Sequence, residues 1–81
     1  MPPTDMKIAN IEWKEVESST VHSIAYDQLG KVIYVQFQRG AIYRYENCGQ
    51  ELWSAMNDAA SIGSFIHNDM AGHKYSEVLA P

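Results

Sequence analysis

The stretch Lys31-Val32-Ile33-Tyr34-Val35-Gln36-Phe37-Gln38-Arg39-Gly40-Ala41-Ile42-Tyr43-Arg44-Tyr45 decides the fold. Residues 31–37 are dominated by β-branched and aromatic side chains, the composition of a strand on a pleated, half-buried surface. Gln38-Arg39-Gly40 is a short glycine-containing connection suited to a tight hairpin. Residues 41–46 then resume the strand pattern. Upstream, Val21-His22-Ser23-Ile24-Ala25-Tyr26-Asp27 is a further β-rich run, closed by the turn signal Asp27-Gln28-Leu29-Gly30, with Gly30 available for a positive φ. Strands joined by such short connections pair antiparallel, because a parallel pair needs a crossover of roughly a dozen residues or more.

After Asn47 the apolar period lengthens from two to about 3.6 residues, the helical repeat. Leu52, Ala55, Met56 and Ala59 fall on one stripe, which predicts an amphipathic helix. Asn47 is placed to cap it, with Gln50 three residues on as the capping-box partner. Ser61-Ile62-Gly63 closes this helix. Ser64 then caps a shorter second one, in which Ile66 and Met70 share a face and Gly72 is the stop. Before the strands, Pro2 and Pro3 discourage helix, while Ile8, Ile11 and Trp13 anchor an extended or strand-like arm over residues 7–16. The expected fold class is α+β: a three-stranded antiparallel β-meander followed by two C-terminal helices, with an extended N-terminal arm. The expected division is a flexible or extended arm over residues 1–15, the domain over 16–75 and a frayed tail over 76–81.

Alternation along the strands sorts their side chains into two sets. Ile33, Val35 and Phe37 form an apolar set expected to pack on Leu52 and Met56, with Tyr43 and Tyr45 beside them. The opposite set, Val32, Tyr34, Gln36, Ile42 and Arg44, is too apolar to stand bare in a small monomer. Three covers fit it: the arm through Ile11 and Trp13, a second copy of the chain, or a ligand.

Eighty-one residues suffice for one domain. A chain of this size buries only about 60% of its unfolded surface, so the five Tyr, two Phe and two Trp carry much of the core. The lone Cys48 excludes an internal disulfide framework and fits a reducing compartment. Met1-Pro2-Pro3-Thr4-Asp5 lacks the basic start of a signal peptide, and no apolar run approaches the roughly 20 residues of a membrane span. The expectation is a soluble, cytoplasmic protein with no membrane partner. Net charge is −4, unlike the basic footprint of a dedicated nucleic-acid binder. The acids, however, lie towards both ends. Residues 28–45 carry Lys31, Arg39 and Arg44 and no acid, a basic island in an acidic chain.

Four stretches together resemble the KTSC domain: Ser18-Ser19, Ile24-Ala25-Tyr26-Asp27, Val35-Gln36-Phe37-Gln38-Arg39-Gly40 leading to Tyr43-Arg44-Tyr45, and Ala60-Ser61-Ile62-Gly63-Ser64-Phe65. The likeness runs from about Val16 to Tyr75. Two positions depart from it: Cys48-Gly49 stands where many members have Val-Pro, and Met70-Ala71 where they tend towards Ile-Arg. The family takes its name from its occurrence at the C-terminus of some lysyl-tRNA synthetases, and it also occurs as stand-alone bacterial and phage proteins. That company with a synthetase implies RNA binding.

The candidate site residues follow from the basic island and its aromatic neighbours. Lys31 and Arg39 sit near strand ends, where they reach phosphates or serve as solvated turn charges. Arg44 shares a face with Tyr34, and a guanidinium beside an aromatic ring is a stacking surface. Tyr43 and Tyr45 either stack on bases or, the favoured reading, belong to the core. Cys48 precedes a helix but has no partner base in sequence, so a small semi-buried filler is the simpler assignment. His22, His67 and His73 have no metal-ligand spacing, and there is no phosphate-cradling glycine loop or Gly-x-Ser-x-Gly elbow. These residues predict a non-enzymatic module without cofactor or metal, which engages RNA or a nucleotide-like ligand through Lys31, Tyr34, Arg39, Arg44, Tyr43 and Tyr45. The alternative is protein interaction or self-association as a homo-oligomer, through the amphipathic sheet face.

Overall fold

The runs read as strands are strands in the computed structural model, which describes Ile8 and residues 10–78. The elements in order are β1 (Lys14–Glu15), β2 (Val21–Asp27), β3 (Val32–Phe37), β4 (Ile42–Tyr45), α1 (Gln50–Asp58), α2 (Ile62–Asp69) and β5 (Tyr75–Val78). They build one five-stranded sheet in the order β1-β2-β3-β4-β5, antiparallel throughout. The expected meander is β2-β3-β4, extended by one strand on each side.

The first extension agrees with the strand-like arm read from the sequence, and the second revises the reading of the tail. The arm forms a two-residue ladder, Lys14 opposite Ile24 and Glu15 opposite Ser23. The tail expected to fray from residue 76 instead forms most of β5, pairing Tyr45 with Tyr75 and Ile42 with Val78. Residues 1–7, 9 and 79–81, where the arm was expected to begin and the tail to end, lie outside the described residues. Among the described residues, no helix is long and apolar enough to cross a membrane.

Turn and cap chemistry differ in detail. The β2–β3 turn takes its left-handed residue at Lys31 (φ 55°), not at Gly30. Asp27 holds that turn by accepting the Gly30 N–H at 3.2 Å. Asn47, expected to cap α1, is itself left-handed (φ 59°), whereas an N-cap needs extended backbone. Gly49 takes that place with no side-chain cap. The second helix starts earlier than expected: Ser61, not Ser64, is its N-cap, and Ser61 Oγ accepts the Ser64 N–H at 3.2 Å.

The two faces of the sheet hold two separate cores. On one, Ile24, Ile33, Val35 and Tyr45 pack with Cys48, Met56, Ile66 and Met70, while Leu52 and Trp53 close the rim. Ala55, assigned to the helix stripe, faces solvent instead. On the other face, Ala25, Val32, Tyr34, Ile42 and Val78 pack beneath Ile8, Ile11 and Trp13. Of the three covers proposed for this face, the arm is therefore the one found. Trp13 Nε1 donates to the Ile8 carbonyl at 2.9 Å, and its ring meets Tyr34 edge-on at 6.4 Å. Tyr34 is 0% exposed, and burying one such ring contributes on the order of 2–3 kcal/mol.

Candidate functional site

The basic island is continuous in sequence and dispersed in space. Lys31 lies at the β2–β3 turn, by the start of α1 near Gly49, Gln50 and Ser54. Arg39 lies at the other end of β3, roughly 20 Å away for a six-residue strand. Arg44 is half-buried on the face covered by the arm, with its Nε out of contact with solvent. Tyr34 lies fully beneath Trp13, so the expected Tyr34–Arg44 stacking surface is closed. Tyr45 belongs to the core, as favoured.

Arg39 and Tyr43 do come together, in company the sequence did not single out. The Arg39 guanidinium sits 5.2 Å from the Phe37 ring centre and 5.6 Å from that of Tyr43. Its Nη2 also donates to the Tyr43 hydroxyl at 3.4 Å. Phe37 meets Tyr43 edge-on at 5.4 Å, Tyr43 stacks on Tyr75 at 5.7 Å, and Tyr75 leans on Tyr45 at 5.6 Å. The ladder explains this alignment. Tyr43 faces Glu77 and Tyr45 faces Tyr75, which puts Tyr43 and Tyr75 on one diagonal of the same face. The result is an aromatic ridge along the β4–β5 edge of the helix-bearing face. Its contacts run from Phe37 through Tyr43 and Tyr75 to Tyr45 in the core, and Tyr75, between Tyr43 and Tyr45, is 57% exposed.

Tyr75 and Phe37 are the members that sequence reasoning missed. The signal was weak, because Tyr75-Ser76-Glu77-Val78 has β-forming residues only at its two ends and no apolar alternation to mark a strand. Burial pushes the Tyr45 phenol up, reinforced by Tyr43 and Tyr75 and opposed by Arg39. The Tyr45 hydroxyl therefore stays protonated at neutral pH.

A cleft of about 390 Å³ lies between the loop before β2 and the start of α2, lined by Ser18, Thr20, Ser61, Gly63, Ser64 and His67 among others. Its hydroxyls largely serve the chain itself. Ser18 Oγ accepts the Thr20 and Val21 N–H groups at 3.2 and 3.1 Å, and Ser61 Oγ both accepts from Ser64 N and donates to Ser64 Oγ at 3.1 Å. This cleft is the seam where α2 docks on the loop.

Cys48 and His73 form the remaining arrangement that could suggest chemistry, with Sγ and Nδ1 3.8 Å apart. Two facts make it structural. His73 Nδ1 lies 2.9 Å from the Glu46 carbonyl, an acceptor only, so that nitrogen carries a proton and cannot take one from the thiol. Burial pushes the Cys48 thiol up, partly offset by a hydrogen bond from the Ile33 backbone. Tyr26 completes the lock by donating its hydroxyl to the Cys48 carbonyl at 2.8 Å.

The family model of the KTSC domain matches residues 17–75. The chain belongs to the KTSC domain family. The crystal structure of a KTSC domain protein from Yersinia pestis superposes with a TM-score of 0.79 at 24% identity, over 85% of this chain and 99% of that one. An uncharacterized protein from Stutzerimonas stutzeri (strain A1501) is 38% identical over 48 residues, 59% of this chain and 68% of that protein. On the structure, the stretches that carry the KTSC likeness fall in three places, one of them Ile24-Ala25-Tyr26-Asp27 within β2. Ser18-Ser19 and the segment from Ala60 to Phe65 meet at the α2 seam, whereas residues 35–40 and 43–45 build the aromatic ridge.

Proposed function

We propose that this KTSC domain is a non-enzymatic binding module that takes unstacked bases of single-stranded RNA, or a nucleotide-like ligand, on the ridge of Phe37, Tyr43 and Tyr75 with Arg39. The observation that carries this reading is a half-open row of aromatic rings in which Tyr75 is 57% exposed and an exposed guanidinium, that of Arg39, lies over Phe37 and Tyr43. Bases stack on such rings whatever their sequence, and Arg adds a cation to pair with a phosphate or lie over a π-face. The family's association with a synthetase supports the same direction.

The charge distribution supports one kind of binding. With net charge −4 and its cations dispersed, the chain presents only Arg39 on the ridge, so stacking and not phosphate neutralisation supplies most of the affinity. The salt dependence is accordingly shallow, with a log–log slope of about −0.7 for one phosphate contact on a single strand.

Fluorescence anisotropy with labelled short RNAs, titrated at several salt concentrations, tests the reading. Tyr75→Ala removes one stacking platform and is expected to weaken binding by about 1–3 kcal/mol, roughly 5- to 150-fold. Arg39→Ala flattens the salt slope towards zero, whereas Lys31→Ala, at the far end of β3, leaves affinity unchanged. Absence of binding at low salt, or affinity indifferent to Tyr75→Ala and Arg39→Ala together, refutes the proposal.

A further inference from the structure

The edge of the sheet beside the ridge carries a second inference, independent of whether the ridge binds RNA. Residue pairs in an antiparallel ladder alternate between hydrogen-bonded and non-hydrogen-bonded. Glu46 N donates to the Lys74 carbonyl at 2.8 Å, which sets the alternation between β4 and β5. The even-numbered residues Ser76 and Val78 turn their backbone groups inward to Arg44 and Ile42. The N–H and C=O of Tyr75 and Glu77 therefore point away from β4. The other side of β4 agrees: Phe37 N donates to the Ala41 carbonyl at 2.9 Å, so the odd-numbered residues of β4 serve β3 and the even-numbered ones serve β5.

Among the described residues no strand lies beyond β5. The two edges of the sheet are also unlike. β1 is two residues long and wholly charged, Lys14-Glu15, a form that discourages pairing. β5, Tyr75-Ser76-Glu77-Val78, has no Pro, no Lys and no register shift in its ladder. Its single charge, Glu77, contrasts with the two of β1, so it is the less protected of the two edges.

We propose that β5 pairs antiparallel with β5 of a second copy of this chain, about a two-fold axis through Ser76. The sequence of β5 selects this occupant and this register. The two residues with outward backbone groups lie symmetrically about Ser76, so each Tyr75 meets Glu77 of the second copy and all of those groups are satisfied. A two-fold axis through Glu77 would set like charges directly opposite each other, which is destabilising. Ser76, small and on the axis, meets Ser76 of the second copy as a non-hydrogen-bonded pair. The assembly is one continuous sheet, with the Tyr75 rings of the two ridges on the same face.

Sedimentation or light scattering of the full chain over a concentration series reads the result directly. Twice the chain mass is expected for the native sequence. Glu77→Pro removes an outward N–H without touching the β4 ladder, and proline is tolerated on edge strands, so this variant falls to the single-chain mass with an unchanged far-ultraviolet circular dichroism spectrum. Ser76→Cys supplies a register-specific test that holds even if Glu77→Pro fails to fold. A non-hydrogen-bonded pair brings the Cα atoms to about 4.5 Å, within disulfide reach, and Cys48 is fully buried and does not compete. Mild oxidation is expected to cross-link it across the axis. A native chain of single mass at every concentration, a Glu77→Pro chain that folds and keeps the double mass, or a Ser76→Cys chain that stays uncross-linked overturns the proposal.

Discussion

Gly63 shows how much of a family motif is explained by packing at a single position. Its φ is unexceptional and it lies inside α2, where alanine is usually favoured over glycine by about 1 kcal/mol. Here a Cβ would stand 2.7 Å from Thr20 Oγ1, on a β-branched side chain with little freedom to turn away. Gly63→Ala is therefore expected to destabilise the domain by about 1–3 kcal/mol in urea melts. Adding Thr20→Ala removes the obstruction and should recover most of that loss; a Gly63→Ala chain more stable than the native one contradicts the reading. Cys48 gives a second prediction at this scale. Its fully buried, upshifted thiol should resist maleimide at neutral pH in the folded protein and react once urea unfolds it. Rapid native labelling would mean that the lock of Tyr26, Cys48 and His73 opens.

At the scale of elements, legibility followed sequence distance. β2, β3 and β4 were plain because their periodicity is strong and their partners are a hairpin turn away. β5 was not, because its partner β4 lies beyond two helices and a four-residue strand offers too little alternation to identify by itself. The helix starts were missed for a related reason: Asn47 and Ser64 have capping chemistry, but the backbone geometry at Asn47 and the packing of Gly63 on Thr20 place the caps at Gly49 and Ser61. The site suffered most. Lys31, Arg39 and Arg44 are neighbours in sequence, yet strand length separates the first two and alternation sends Arg44 to the opposite face. The arm was legible as a cover but not as the one chosen, since a second copy or a ligand matched the same amphipathic face. Trp13 holds that cover in place, through its ring on Tyr34 and its bond to the Ile8 carbonyl. Trp13→Ala is expected to cost about 3 kcal/mol in chemical denaturation and to expose Tyr34 to solvent quenchers; a loss near zero would show that the arm does not hold that core.

For the whole molecule, three upshifted acids define a pH dependence. Burial raises Cys48, Tyr26 and Tyr45 above their ordinary values of 9.0, 10.0 and 10.0, with Cys48 and Asp27 adding to the effect at Tyr26. A group whose pKa is higher folded than unfolded supports the fold fully below its unfolded value, and that support is lost as pH rises through the folded one. The urea midpoint should thus hold level from neutral pH to about 9 and then fall. A midpoint that stays level well past the phenol range would contradict the burial of these groups. The overall charge is −4, and one acid, the exposed Glu77, lies opposite Tyr43 on the ridge itself.

The most direct measurement is a titration of isotope-labelled protein with short single-stranded RNA at low salt, followed by amide chemical shifts. The ridge predicts changes concentrated at Phe37 to Tyr43 and at Tyr75 to Glu77, with the α2 seam unmoved. No change at saturating RNA, or changes centred on Ser18, Ser61 and His67 instead, would contradict the ridge as the binding surface of this domain.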